Sequence, residues 1–294
     1  MSISLSSLRN KISKAHELQS VVRAMKTIAA AHITQYEKST QALSDYYRSI
    51  ELSLGLLMRK NIKYHAKKSS LKNKKAGAGV IIFGSDQGLV GSFNEVISNF
   101  TIENINNFKS NAKIWVVGEH VQTHLKDMSI AIVKSFALPS SIQFITSLVA
   151  NIIDETRRYL DQGEIDELFL FNNWADSDTT FTPKKLRLFP FDSKWLSERK
   201  KIAWPTKNYA EIVGNTDEFF KALLREYLFV SIFKACVESL HSENRNRIIA
   251  MQRADKNIDD MLKNLKNDFN HLRQSSIDEE LFDVIAGFEA QRKL

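Results

Sequence analysis

Each end of the chain carries an apolar stripe with the step of a helix that packs along a partner. The first runs from Leu5 through Leu8, Ile12, Ala15, Leu18, Val22, Met25, Ala29, His32, Tyr36, Ser39, Leu43, Tyr46, Ile50 and Leu54 to Leu57. The second runs from Leu223 through Tyr227, Val230, Phe233, Val237, Leu240, Asn244, Ile248, Met251, Ala254, Ile258, Met261, Leu265 and Phe269 to Leu272. Both advance about 3.5 residues per step, the repeat that holds one seam against another in a coiled coil. His32, Ser39 and Asn244 are the polar breaks.

The middle has a shorter rhythm. Apolar runs at 78–83 (AGVIIF), 114–117 (IWVV), 130–133, 168–172 and 186–190 read as five strands. Between them lie a glycine loop at 84–91, a helix starting near Phe93, a helix over 120–128, and an amphipathic helix over 140–160. Ser140 and Ser141 open that last helix after Pro139. Strands alternating with helices predict an α/β layer around a mainly parallel sheet.

Glycine and proline are concentrated in this middle. Residues 1–54 and 215–286 contain neither, and all four prolines lie between 139 and 205. At 1.5 Å per residue the two uninterrupted runs predict helices of ~80 Å and ~110 Å. A compact chain of this size has a radius of gyration of only ~19 Å. The expected fold is therefore α/β: a long antiparallel coiled coil of N- and C-terminal helices with a small Rossmann-like α/β domain inserted. The expected divisions are an N-terminal helix over 1–58, a basic linker over 59–77, the insert over 78–205 and a C-terminal helix over 206–294.

Composition is that of an ordinary globular chain, with 43% apolar and 26% charged residues. The net charge of +7 is local. Residues 1–75 hold fifteen Lys/Arg against four Asp/Glu, whereas the remaining 219 hold 26 against 30. The basic run 59–75 has only Tyr64 as an aromatic, which fits a solvated linker better than a nucleic-acid surface. A single cysteine, Cys236, excludes an intramolecular disulfide. No apolar run reaches the ~18–20 residues of a membrane span, and residues 1–10 lack a secretory-signal pattern, so a soluble or peripheral chain is expected.

Candidate chemistry is sparse. The loop 83–94 (FGSDQGLVGSFN) follows a strand and precedes a helix, where backbone N–H groups can cradle a phosphate. It lacks the lysine and Ser/Thr of a P-loop and has the wrong glycine spacing for a dinucleotide fingerprint, so a tight structural turn is the plainer reading. His120 and His124 share a helix face but have no HExxH glutamate and no evident third ligand. Cys236 sits in an apolar stripe without an activating base. Glu279, Glu280 and Asp283 read as a solvated acidic face. No catalytic constellation, cofactor site or metal site is expected.

Four stretches carry a family resemblance. They are Leu8-Arg9-x-Lys11-Ile12 with Ala24-Met25-Lys26, the loop Ser85-Asp86-Gln87-Gly88-Leu89 with Gly91 and Asn94, the helix segment Ser242-Glu243-x3-Arg247-x2-Ala250-Met251 with Asn257, and Asn270-x2-Arg273-Gln274-x-Ser276-Ile277 with Glu280, Leu281 and Gly287. Together they resemble the gamma subunit of the rotary F-type ATP synthase along essentially the whole chain. Asp278 stands where that family has a threonine, Phe288 where it has a small residue, and 60–75 has no counterpart.

The resemblance implies a non-catalytic central shaft inside a hexamer of alpha and beta subunits, coupled through the epsilon subunit to the c-subunit ring. It implies no cofactor, no nucleic acid, and membrane contact only through protein partners at the cytoplasmic face of a bacterial inner membrane. Its implied subunit-contact residues are Met25, Lys26, Asp86, Gln87, Glu243, Arg247, Met251, Arg273, Gln274 and Glu280. Two other readings stay open from the residues alone. One is a nucleotide-binding α/β protein with helical extensions, which ATP binding by the isolated chain would favour. The other is a coiled-coil adaptor or DNA-associated rod, which salt-sensitive DNA binding would favour.

Overall fold

The computed structural model describes residues 4–59, 76–106, 108, 112–139, 141–176, 181–191, 193–208, 211, 212 and 214–291. The basic stretch 60–75, most of the expected linker, lies outside the described residues. Contacts divide the chain into a smaller unit of residues 1–29 with 248–294 and a larger unit of residues 30–247. Helix α1 (Leu5–Arg59) and helix α6 (Thr216–Gln291) each contribute to both.

Both long helices start on side-chain caps. Ser7 N donates to Ser4 Oγ ahead of α1, and Asp217 N donates to Asn215 Oδ1 at the start of α6. These satisfy amides that have no partner inside the helix. Asp217 and Glu218 add negative charge to the first turn of α6, where the helix dipole is positive.

The larger unit is built on a five-stranded sheet: β1 (Gly77–Phe83), β2 (Lys113–Val117), β3 (Lys134–Phe136), β4 (Ile165–Ala175) and β5 (Phe181–Phe189). The order is β3-β2-β1-β4-β5; the first four strands are parallel and β5 runs antiparallel to β4. Alternating side chains serve two cores. Val80, Ile82, Val116 and Phe171 face Ile97 of α2 (Phe93–Ile105) and Val121 and Leu125 of α3 (Glu119–Asp127). Ile81, Phe83, Trp115, Val117 and Leu170 face the opposite layer. That layer holds Val149, Ile152 and Ile153 of α4 (Ile145–Asp161), Tyr36 of α1, and Ile232, Cys236 and Leu240 of α6. A third cluster joins Ile50, Leu54 and Leu57 of α1 to Leu223, Tyr227 and Val230 of α6.

Within the larger unit the long helices run antiparallel. Tyr46 Oη donates to Glu226 Oε2 at 2.7 Å, and earlier in α1 Glu37 meets His241, later in α6. Helix α5 (Ser193–Lys201) lies against α1, where Arg199 donates from Nε and Nη2 to Glu51 Oε1. In the smaller unit the direction is again antiparallel, since Arg9 lies over the Phe269 ring while Gln19 bonds Asp255 and Asp259.

The structure corrects several local expectations. Residues 130–133 are not a strand. Ser129, at φ 59, follows α3, and Ile130 N donates back to Leu125 O, so bonding to β2 starts only with Val133 N on Ile114 O, just ahead of β3. β4 and β5 are longer than their apolar runs because β4 continues past Asn172 while pairing with β5 through Ala175. Ser141 makes no capping bond; a 3-10 turn over Ile142–Phe144 leads into α4, and Ser140 is outside the described residues.

The stripes also break at single positions. Leu18 is 56% exposed and Gln19 takes its place at 7%. Likewise Met261 and Tyr46 are exposed, while Leu262 is buried and Tyr47 half-buried. Leu8, Ala15, Ala29, Tyr36, Ile50 and Leu57, spaced by multiples of seven, stay buried, so these exchanges are local.

Candidate functional site

The glycine loop between β1 and α2 is closed on itself. Ser85 N donates to Asn94 Oδ1 at 3.0 Å, and Asn94 Nδ2 donates to Ser85 Oγ at 2.8 Å. Ser85 Oγ in turn donates to Gln87 O. Asp86 bridges two further segments, accepting from Glu119 N at 2.8 Å and from Leu138 N at 2.7 Å. Its carboxylate thus sits at the first turn of α3, where an incoming anion would otherwise bind. Gly84 allows the close approach, because a Cβ there would lie 2.3 Å from Val121 Cγ1. Gln87 and Leu89 remain exposed at the tip, Leu89 with φ 62. His120 is exposed beside Gly88, and His124 is half-buried. Among the described residues no group of three or more His, Cys, Asp or Glu is placed to hold a metal.

The second motif lies on α6 and is buried in the larger unit. Arg247 Nη2 donates to Glu243 Oε1 at 2.6 Å, and Arg247 Nη1 donates to Asn244 Oδ1 at 3.3 Å. Glu243 and Arg247 are 5% and 8% exposed, so each side chain is directed into its own unit. Burial raises the Glu243 carboxyl above the usual carboxylate range, Arg247 opposes the shift, and the charge of Asp86 adds to it.

Tyr36 of α1 shares this environment, pushed up to about 12 by burial and by Glu243. Burial also pushes the Cys236 thiol up, which leaves it unreactive. Five residues before Glu243, burial raises Glu238 to about 7 against the opposing charges of Lys234 and Lys184.

The remaining residues expected to make subunit contacts lie in the smaller unit. Met25 and Lys26 are half-buried on α1, and Met251 is buried on α6. Arg273, Gln274 and Glu280 are exposed. Past the half-buried Leu272, the end of α6 exposes large apolar side chains without interruption of the helix. Ile277, Leu281, Val284 and Ile285 are all exposed, and Phe282 and Phe288 reach 69% and 75%. The sequence reading extended no stripe beyond Leu272 and missed this surface. Its signal was present, as apolar residues that recur after the last position a partner stripe could meet.

No helix among the described residues is long and apolar enough to cross a membrane. A family model described as ATP synthase matches residues 4–291. The ATP synthase gamma chain of Acetivibrio thermocellus is 26% identical, with 97% of this chain and 98% of that one covered. The gamma chain of Clostridium botulinum strain Langeland is 28% identical over 97% of each. Among solved structures, a chain from the rotor of the Euglena gracilis mitochondrial ATP synthase superposes with a TM-score of 0.65 at 15% identity, covering 93% of this chain and 98% of that one. A chain from the central stalk and c-ring of the Tetrahymena thermophila enzyme gives 0.54 at 18% identity, covering 80% and 99%. With both terminal helices, the inserted sheet and all four motif stretches inside the matched span, the chain belongs to the gamma-chain family of the ATP synthases.

Proposed function

We propose that the chain is the rotating central-stalk subunit of an F-type ATP synthase, with α1 (Leu5–Arg59) and α6 (Thr216–Gln291) as its shaft. The end of α6 would turn inside a hexamer of alpha and beta subunits. The α/β insert 78–205 would form the foot that meets epsilon and the c-subunit ring. The complex would stand at the cytoplasmic face of a bacterial inner membrane, with this subunit held there by its protein partners.

The observation that carries the reading is the end of α6. A helix that exposes Leu281, Phe282, Val284, Ile285 and Phe288 together calls for an apolar sleeve. Arg273 and Gln274 lie beside that segment and are exposed, placed to offer a planar guanidinium and an amide to carbonyls and carboxylates of a beta subunit. The chain's own role is mechanical. One asymmetric shaft in a three-fold ring touches three identical partners unequally, and each unequal contact shifts a conformational population in the partner it meets. The loop 84–91 supports this over nucleotide binding, since Asp86 already occupies the start of α3.

The test is reconstitution of the whole membrane-embedded complex, c-subunit ring included, using Arg273→Ala, Gln274→Ala and the double variant. The expected result is a loss of ATP turnover and of coupling to ion pumping in a complex that still assembles. Unchanged turnover and coupling in the double variant would overturn the assignment of this contact.

A further inference from the structure

We propose that Gln19 sets the axial register of the helix pair formed by residues 5–29 and 248–291. The inference concerns this chain's own helices and does not rest on the stalk reading.

The seam of the smaller unit specifies register poorly by itself. Its large buried apolar residues are Leu8, Met251 and Leu262, while Ala15, Ala29 and Ala254 are small, and Ile12, Val22, Met25, Ile258, Leu265 and Phe269 are only half-buried. A stripe repeating at about 3.5 residues presents nearly equivalent contacts after a slip of one heptad, about 10 Å along the axis. Apolar burial is non-directional and discriminates weakly between such states.

Gln19 breaks the equivalence. It is buried, and its amide nitrogen has two N–H groups. One donates to Asp255 Oδ1 at 3.1 Å and the other to Asp259 Oδ1 at 2.5 Å, carboxylates one helical turn apart on α6. Arg23, a turn further along α1, donates from Nε to both oxygens of Asp255 at 3.1 and 3.4 Å. Burial disfavours the Asp255 charge, yet the bonds from Gln19 and Arg23 and the nearby Lys26 hold its carboxyl below the usual range.

A heptad slip removes both acceptors together. In one direction Gln19 would face Leu262 and Lys266, and in the other Ile248 and Gln252. Each slipped state leaves a buried amide without its two carboxylates and two carboxylates without their donor, which is how one polar group in an apolar seam selects a register. Gln19 is thus a positioning residue that acts through Asp255 and Asp259.

Spin labels on Lys11→Cys and Lys256→Cys, both exposed positions, test this in the full chain, since native Cys236 is buried. These sites are offset along the pair, so a heptad slip moves their separation by several ångström. The native residue at 19 should give a single narrow distance population. Gln19→Leu should keep its helical circular dichroism and split into two or more populations. Exchanging donor and acceptors, with Gln19→Glu, Asp255→Asn and Asp259→Asn together, should restore one population at the native distance. A single native distance in Gln19→Leu would overturn the proposal, as would a split that the exchange does not repair. Should Gln19→Leu lose its helical signal, the exchanged variant decides alone, one native population supporting the register role and a split one ending it.

Discussion

Arg247 donates from Nη2 to Glu243 Oε1 across 2.6 Å, one turn apart on the buried face of α6, and neither side chain reaches solvent to any extent. Two charges of opposite sign have been taken out of water together, so each depends on the other for its solvation. Removing one partner is then far more damaging than replacing both.

Arg247→Ala should cost about 3–5 kcal/mol, because it strands a carboxylate in the interior. Glu243→Gln combined with Arg247→Met should cost clearly less than the sum of the two single changes. Urea unfolding of the native chain, both singles and the double variant checks this. Additive losses would show that the pair is not coupled.

Stability should fall as pH rises from about 4.5 toward 7. Glu238 has a folded pKa of about 7 against an ordinary value of 4.5, so the folded state holds the proton more tightly than the unfolded one. Its contribution is full below the lower value and is lost as pH rises through the upper one. Glu243 is raised in the same direction by burial. Glu238→Gln should therefore make the slope shallower without abolishing it, as read from urea midpoints between pH 5 and 8. An unchanged slope would count against a raised Glu238.

Asp86→Ala should unfasten two segments together. Hydrogen bonds to a charged acceptor contribute about 1.5–3 kcal/mol each, and Asp86 accepts from Glu119 N and Leu138 N. Hydrogen exchange at these two amides should accelerate together in the variant, while amides in the middle of β1 change little. Unaltered protection at both positions would refute the bridging role.

Gly55→Ala should destabilise the larger unit although alanine is the better helix former. A Cβ at position 55 would meet Arg199 O at 2.6 Å, a backbone atom of α5 that cannot swing aside. The expected outcome is a lowered melting temperature, with the Arg199–Glu51 ion pair weakened as α5 is pushed away. A raised melting temperature would show that α5 gives way freely.

The sequence by itself determined the elements whose cause is local. Two long runs without glycine or proline had to be helices, and their matched stripes required an antiparallel partner. Short apolar runs alternating with amphipathic ones required a largely parallel sheet. The Ser85–Gly91 loop was legible as a strand-to-helix turn from its glycines alone.

What depended on packing between distant segments was decided only by the tertiary structure. Leu18 and Met261 fit a 3.5 step, but the packed helices expose them and bury Gln19 and Leu262. Residues 130–133 are apolar enough for a strand, yet the end of α3 holds Ile130 N, and pairing starts later. The resemblance offered Glu243 and Arg247 only as subunit-contact residues, whereas α6 turns both inward, where they share a buried environment with Tyr36. Apolar Phe282 and Phe288 are exposed for the converse reason, since no segment among the described residues covers them. Periodicity encodes which face of a helix is apolar, whereas what that face meets is a property of the whole fold.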